Sequence, residues 1–343
     1  MTAQVTGQLQ YQALRGGAVP PVERLRDGLW CIPVPLPTAS VKYVLVYALE
    51  LPDGVALIDT GWRNDQAYMA LTDGLRVAGF AVSDVRAVLA THAHMDHYGL
   101  AERVRAESGA WIGLHTEELA AIRDPTDADA QQATARDAQN LRDRLGVPPA
   151  PPRPGPALFQ TARPDVVLTD GCAPPLPGWD LTTIWAPGHT PGHACFHDRA
   201  SSLLFSGDHV LPRITPLVAV TTYQRPDPIG DYRSALDKVA DLEVTEVLPA
   251  HEYRFSGLRD RVRELQDHVT GRLDEVETVL AAAPGATAWA VARALSWSRP
   301  FETLPPFHVR NAVGETLACL LHLEHSGRIT HDGESPQRWL SLS

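Results

Sequence analysis

The sequence predicts an α/β protein, in which short apolar β-rich runs are followed by polar loops and by segments of helical spacing. Residues 85–90 form one such run, and residues 100–107 place Leu100 and Val104 on one helical face. With 343 residues, of which 44% are hydrophobic, the chain is long enough for one large α/β core and a smaller appended unit.

Residues 91–99, THAHMDHYG, carry the most informative motif. Neutral imidazole nitrogens and carboxylate oxygens are ligands for zinc, iron and manganese, and histidines two apart on an extended segment point to the same side. We expect His92 and His94 at the end of a strand, with Asp96 and His97 at the start of a helix. The motif therefore predicts a metal site, and a histidine-rich surface turn is the alternative.

Three isolated residues of the same chemical types follow other predicted strands. His189 lies in a turn that proline and glycine force after residues 181–185. Asp208 follows residues 203–205, and His251 follows residues 244–248. Because one loop would leave a metal ion half coordinated, we expect these three residues to complete the site.

The order His-x-His-x-Asp-His, then His, Asp and His, resembles that of the metallo-β-lactamase-fold hydrolases over about residues 25–255. The resemblance implies an αββα sandwich of two mixed β-sheets flanked by helices. It also implies a centre of two divalent metal ions, with zinc as the first expectation and iron or manganese as alternatives. Within this family the chain is similar to glyoxalase II-like thioesterases and lactonases.

By that resemblance each ion has three ligands of its own and the two ions share one. The first ion would be held by His92, His94 and His189, the second by Asp96, His97 and His251, and Asp208 would bridge them. Residues 55–61 resemble the family's first motif, in which Asp59 orients the metal loop without binding the metal. Ala250 stands where the family often has glycine, and coordination by His251 remains our expectation.

A dinuclear centre predicts hydrolysis. Two ions roughly 3.5–4 Å apart hold a water and lower its pKa from about 15.7 toward 7, so no serine or cysteine nucleophile is needed. We expect Asp96 and Asp208 to act as the catalytic residues that orient the hydroxide. The resemblance implies cleavage of an acyl thioester, an ester or a lactone in a small-molecule or carrier-bound acyl substrate.

Three alternatives stay open. A phosphodiesterase or ribonuclease would use the same dinuclear centre. A protein resembling the persulfide dioxygenases would hold one iron with His92, His189 and Asp208 and consume oxygen. A non-catalytic scaffold would be expected to lack ligands, and none is missing.

Composition limits the partners and the compartment. The net charge of −11, with lysine only at Lys42 and Lys238, argues against binding to nucleic acid. No segment approaches the roughly 18 apolar residues of a membrane span, and the N-terminus lacks the apolar core of a secretory signal. We therefore expect a cytoplasmic protein with no membrane partner. The scattered cysteines, which favour free thiols over a disulfide framework, are Cys31, Cys172, Cys195 and Cys319.

The chain is predicted to divide into three parts. Residues 1–255 form the catalytic domain, 256–284 a long amphipathic linker helix and 285–343 a small helical unit. Within the first part, residues 116–165 are an insertion with helices expected at 116–123 and 127–145. The insertion is either a solvated spacer or a lid over the metals.

The last two parts are predicted from helical periodicity. Residues 257–283 repeat apolar residues at steps of three and four, and we expect this helix to pack on its own domain, with a homodimer as the alternative. Helices at 287–295 and 311–325, with a turn into a strand at 326–330, resemble the winged-helix tail of some family members. Residues 311–326 contain no lysine or arginine, which favours packing or dimerisation over nucleic-acid binding.

Other polar residues are weaker candidates. Three histidines are expected either to support the metal ligands or to be hydrogen-bonded structural residues, namely His115, His193 and His209. Four residues are low-ranked candidates for substrate binding, because such side chains commonly pack: Tyr98, Arg213, Tyr223 and Tyr253.

Overall fold

Runs of consecutive strands are separated by helices along the chain. A computed structural model describes residues 3–38, 41–122, 128–147, 162–221 and 224–342. In chain order its strands are β1 (Gln4–Val5), β2 (Glu23–Arg26), β3 (Leu29–Pro35), β4 (Tyr43–Leu51), β5 (Gly54–Ile58), β6 (Val85–Leu89), β7 (Trp111–His115), β8 (Val166–Leu168), β9 (Leu181–Trp185), β10 (Ala194–Asp198), β11 (Leu203–Gly207), β12 (Glu246–Pro249), β13 (Phe255–Ser256), β14 (Ile329–His331) and β15 (Trp339–Ser341).

The α-helices surround these strands. In chain order they are α1 (Gln8–Gly16), α2 (Asp65–Val77), α3 (Met95–Tyr98), α4 (Ala101–Ser108), α5 (Ala128–Leu145), α6 (Pro228–Ala240), α7 (Leu258–Ala282), α8 (Ala288–Ala294) and α9 (Pro306–His325). Short 3₁₀ turns lie at Val82–Asp84, Thr116–Ala121 and Phe301–Thr303.

Two mixed β-sheets form the centre of the molecule. The first has the order β2-β3-β4-β5-β6-β7-β8, antiparallel from β2 to β5 and parallel from β5 to β8. The second has the order β1-β13-β12-β11-β10-β9, and only its β11–β12 pair is parallel. A separate hairpin is made by β14 and β15.

Apolar side chains alternate between the two faces of each sheet, as the strand period of two requires. Along β4, Tyr43 and Leu45 pack in the cluster between the sheets, together with Phe205 of the second sheet. Their neighbours Val44 and Val46 pack in a different cluster, on the outer face of the first sheet under α2 and α4. The helix–sheet–sheet–helix sandwich predicted from the sequence is therefore confirmed.

The outer face of the second sheet is covered by helices from the C-terminal third of the chain. Val247 of β12, Leu265 of α7 and Leu320 of α9 belong to one buried cluster, which also includes Trp339 of β15. The residues after β13 thus share a single hydrophobic core with the second sheet. Within the described residues, no helix is long and apolar enough to cross a membrane.

The predicted insertion departs from expectation in two ways. Residues 116–121 form a 3₁₀ helix, which is shorter than the helix expected at 116–123. The second helix, α5, docks on the C-terminal hairpin: Leu145 is buried in the C-terminal core, and Arg144 Nε donates to Gln337 Oε1 over 2.6 Å. The remainder of the insertion, at 123–127 and 148–161, lies outside the described residues, so the choice between lid and spacer stays a prediction there.

Candidate metal centre

The candidate ligands follow the ends of core strands. The loop after β6 leads into α3 and carries the first cluster of histidines, while Asp208 and His251 follow β11 and β12. His189 lies in the turn between β9 and β10. Because β11 and β12 are parallel neighbours, their ends bring Asp208 and His251 together without any long loop.

All seven side chains expected to bind metal converge at one place. Ligand atoms lie within 4.8 Å of one another in each of three overlapping groups. Two of them share no residue: His92 with His94 and His189 form the first group, and Asp96 with His97 and His251 form the second group. The remaining set, His92 with His97 and Asp208, connects the two. Neutral imidazole nitrogens and carboxylate oxygens suit zinc and other first-row divalent ions.

The first group consists of three imidazole rings that face each other. His94 Nδ1 lies 2.9 Å from His92 Nε2 and 3.0 Å from His189 Nε2. His189 Nδ1 donates to the Leu217 carbonyl over 2.7 Å, which leaves a lone pair on its Nε2. Lone pairs brought this close repel unless a proton or a cation lies between them, so the donor set fits a metal ion.

The histidines of the second group are also oriented by hydrogen bonds at their Nδ1 atoms. His97 Nδ1 lies 2.8 Å from Asp59 Oδ2, and His251 Nδ1 donates to the Tyr43 carbonyl over 3.0 Å. Each ring therefore presents Nε2 to the site. The His97 Nε2 atom is buried and has no hydrogen-bond partner among the described residues, which is an environment that a cation would satisfy.

Asp208 lies between the two groups. Its Oδ2 is 3.5 Å from His189 Nε2, and its Oδ1 is 3.4 Å from His251 Nε2. The Oδ1 atom is also buried without a hydrogen-bond partner among the described residues. Gly207 allows this approach, because it has φ +51° and a Cβ there would meet His193 Nε2 at 2.7 Å.

The charges of the site favour a cation. Burial lowers the pKa of His97, but the carboxylates of Asp208, Asp96 and Asp59 outweigh it and hold this pKa well above its ordinary value. Burial likewise opposes protonation of His251, yet Asp208 and Asp96 raise its pKa to about 10. Without metal the carboxylates thus attract protons to the positions where divalent ions would otherwise supply positive charge.

The supporting residues hold the loops through buried hydrogen bonds. Asp59 accepts from the Thr91 backbone N–H over 2.8 Å and from the Thr91 hydroxyl. His193 Nε2 accepts from the Asp208 N–H over 3.0 Å, so this histidine contacts a candidate ligand directly. His209 is fully buried, and its ring centroid lies 6.0 Å from that of His193. His115 stacks on Trp185 at 5.6 Å instead of joining a ligand group.

The low-ranked candidates for substrate binding have other contacts. Tyr98 is buried and donates to the Ala162 carbonyl over 2.9 Å. Arg213 forms an ion pair with Glu252, at 2.7 Å, and Tyr253 packs edge-on against Tyr11. Tyr223 lies outside the described residues.

Sequence reasoning missed Glu118. Its buried carboxylate accepts from the Ala93 N–H and from the Gly192 N–H, both over 2.8 Å. No spacing rule signals such a residue, because its partners are backbone N–H groups that almost every residue type offers.

The site opens to solvent on one side. His94 is exposed and the Asp96 side chain keeps 23% of its exposure, whereas His92, His97 and His251 are buried. A substrate would therefore approach past His94 and Asp96.

Sequence comparison finds relatives of this chain. The family model described as the metallo-β-lactamase superfamily matches residues 39–251. A probable metallo-hydrolase, YqjP of Bacillus subtilis, is 27% identical over 271 residues, and the match covers 73% of this chain and 79% of the relative. The acyl-coenzyme A thioesterase MBLAC2 of Gallus gallus is 29% identical over 204 residues, 55% of this chain and 67% of the relative.

Solved structures share the fold. The metallo-β-lactamase family protein TTHA1429 from Thermus thermophilus superposes with a TM-score of 0.79 and 30% identity, covering 93% of this chain and 100% of that one. A β-lactamase domain protein from Burkholderia ambifaria gives a TM-score of 0.77 at 23% identity, covering 99% and 97% of the two chains. At that identity, the second likeness concerns the fold alone.

Proposed function

Because the chain belongs to the metallo-β-lactamase superfamily and is a metal-dependent hydrolase, we propose that it cleaves an acyl thioester, with an ester or a lactone as related substrates. The observation that carries the proposal is the convergence of four buried histidines and two carboxylates around the exposed His94. The relative named as an acyl-coenzyme A thioesterase supports the acyl class.

The ligands divide between two ions. We assign His92, His94 and His189 to the first ion and Asp96, His97 and His251 to the second, and zinc suits this set of nitrogen and oxygen donors. Asp208 is assigned to both, since its two oxygens point toward His189 and His251 respectively.

Two divalent ions, when bound, supply hydroxide from water at neutral pH and polarise the carbonyl oxygen under attack. The protein's own carboxylates orient the attacking hydroxide. Asp96 Oδ2 and Asp208 Oδ1 each lie 3.4 Å from His251 Nε2, so the two carboxylates face one space. Carboxylates accept hydrogen bonds, so an oxygen of Asp96 or Asp208 that is not bound to an ion would accept the hydrogen of the hydroxide and orient its lone pair toward the carbonyl carbon.

The open mouth of the site suits a substrate on a large carrier. His94 and Asp96 are reached from solvent, so an acyl group attached to a bulky thiol presents its carbonyl without burying the carrier. The buried rings of His92 and His97 form the closed side.

The test combines elemental analysis with a substrate panel. Purified protein is expected to contain two zinc, iron or manganese ions per chain and to hydrolyse acyl thioesters faster than the matched oxygen esters, lactones and phosphodiesters. Turnover confined to the phosphodiester would assign the site to a nuclease or phosphodiesterase. A single iron with oxygen consumption would assign it to an oxygenase, and either result would overturn the proposal.

A further inference from the structure

Glu118 connects the two loops that carry the first group of histidines. Its Oε2 accepts from the N–H of Ala93, the residue between His92 and His94. Its Oε1 accepts from the N–H of Gly192, three residues after His189. One carboxylate thus binds both backbone segments, each over 2.8 Å.

The surroundings of Glu118 are closed. The residue is 1% exposed, and within the described part of the chain no cationic side chain forms an ion pair with it. By contrast its neighbour Glu117 is half exposed and faces Arg225 at 4.0 Å. Both oxygens of a buried carboxylate need donors, and here backbone N–H groups of the two loops provide them.

Gly192 is matched to this contact. A Cβ at this position would meet the backbone nitrogen of Glu118 at 2.5 Å and the Glu118 side chain at 2.8 Å. The loop approaches Glu118 this closely only because residue 192 has no side chain. Two features, the carboxylate of Glu118 and the absence of a side chain at residue 192, therefore both maintain the short distance between Glu118 and the His189 loop.

We propose that Glu118 is a positioning residue that sets the separation of the His92–His94 loop from the His189 loop and thereby the affinity of the first ion. The inference rests on the ligand assignment in the proposed function. Releasing either hydrogen bond lets the His189 ring drift from the two rings it faces, and three ligands no longer meet at one point. The second group has its own support, because Asp59 and Tyr43 orient His97 and His251.

The variant Glu118→Gln tests the positioning role of Glu118. Its amide keeps the size of the side chain, but the NH₂ group cannot accept a hydrogen bond, so one of the two loops is released. Cobalt binding is measured by visible absorption and chelator competition in two backgrounds, His251→Ala to report the first group and His189→Ala to report the second. We expect affinity to fall roughly 10- to 100-fold in the first background and to stay unchanged in the second.

The control is Glu117→Gln, which removes the neighbouring exposed carboxylate and is expected to leave both affinities unchanged. Gly192→Ala is the second variant, because it displaces the loop and leaves the carboxylate intact; it is expected to weaken the first group in the same way. Urea unfolding of the metal-free proteins reports whether the variants fold.

Unchanged cobalt affinity in folded Glu118→Gln and Gly192→Ala would overturn the positioning role. An equal loss at both groups would also overturn it, since that pattern indicates general destabilisation. If the unmodified protein bound no cobalt, the proposed function itself would fail, which is a different outcome from a metal-binding protein indifferent to Glu118.

Discussion

The imidazole of His97 forms a buried hydrogen bond with the carboxylate of Asp59, with 2.8 Å between Nδ1 and Oδ2. A carboxylate accepts, so Nδ1 carries a hydrogen and Nε2 faces the candidate metal centre, where a bound ion would take the place of a second proton. Asp59 has φ +61°, a left-handed conformation that aspartate and asparagine tolerate better than most residues. This pair therefore fixes both the tautomer and the direction of the ring.

Asp59→Asn is expected to weaken metal binding and activity by roughly 10- to 100-fold, as is typical for partners of metal ligands. Asparagine retains the shape and the backbone preference, but one oxygen becomes an NH₂ group that cannot accept from His97 Nδ1. Metal content by elemental analysis and kcat on an acyl thioester measure the effect. Asp53→Asn, on an exposed turn, is the control. Wild-type metal content and kcat in Asp59→Asn would contradict the tautomer argument.

Asp208→Ala is expected to lower metal content and to reduce kcat by more than the roughly 100-fold expected for a supporting residue. The reason is that Asp208 reaches toward both His189 and His251, so its removal affects both groups. His268→Ala, on the exposed side of α7, is the comparison and should leave metal content and kcat intact. Unchanged turnover in the Asp208 variant would refute its bridging role.

Removal of metal is expected to abolish turnover and to lower Tm, since ions that bind the folded state stabilise it by mass action. At a free concentration 100 times Kd, one ion contributes about 2.7 kcal/mol to the free energy of unfolding. Scanning calorimetry before and after dialysis against a chelator gives the shift, and added zinc should restore both Tm and activity. The Asp208→Ala protein should show a smaller shift. A Tm independent of chelator would mean that the site does not retain ions in the folded protein.

The sequence was most informative where function needs particular side chains. Only a few residue types bind divalent metals, so His92, Asp208 and His251 could be picked out by type and by their places after apolar runs. The apolar face of α7 could also be predicted, because a helix that buries one face must repeat apolar residues at steps of three and four.

Contacts made by the backbone could not be predicted in the same way. Glu118 looks like an ordinary acidic residue in a helical segment, yet its side chain turns inward to bind two loops. The segment forms a short 3₁₀ helix at 116–121 instead of the longer helix expected at 116–123. The start of α9 at Pro306 was missed because Phe307 is exposed and breaks the apolar pattern, although proline at the first turn is a recognised start signal.

Asp227 links α6 to α9. It caps α6 by accepting from the Gly230 N–H over 2.8 Å, and it accepts from His322 Nδ1 over 3.0 Å. Burial raises the pKa of this carboxyl, but the hydrogen bonds from His322 and Gly230 together outweigh burial, and the net pKa lies below its ordinary value. The folded state therefore favours the ionised form more than the unfolded state does.

The stability contributed by this charge should be fully present above the unfolded pKa near 3.9 and should disappear as pH falls through the lower, folded pKa. Asp227→Asn keeps the cap but removes the charge. Its deficit in free energy of unfolding relative to the wild type should therefore shrink as the pH falls from about 6 to about 3. Asp227→Ala also loses the cap, which costs about 1 kcal/mol at every pH. Urea unfolding of metal-free proteins, followed by circular dichroism, separates the two effects. A pH-independent difference between wild type and Asp227→Asn would show that the ionised carboxylate contributes nothing to the contact between α6 and α9.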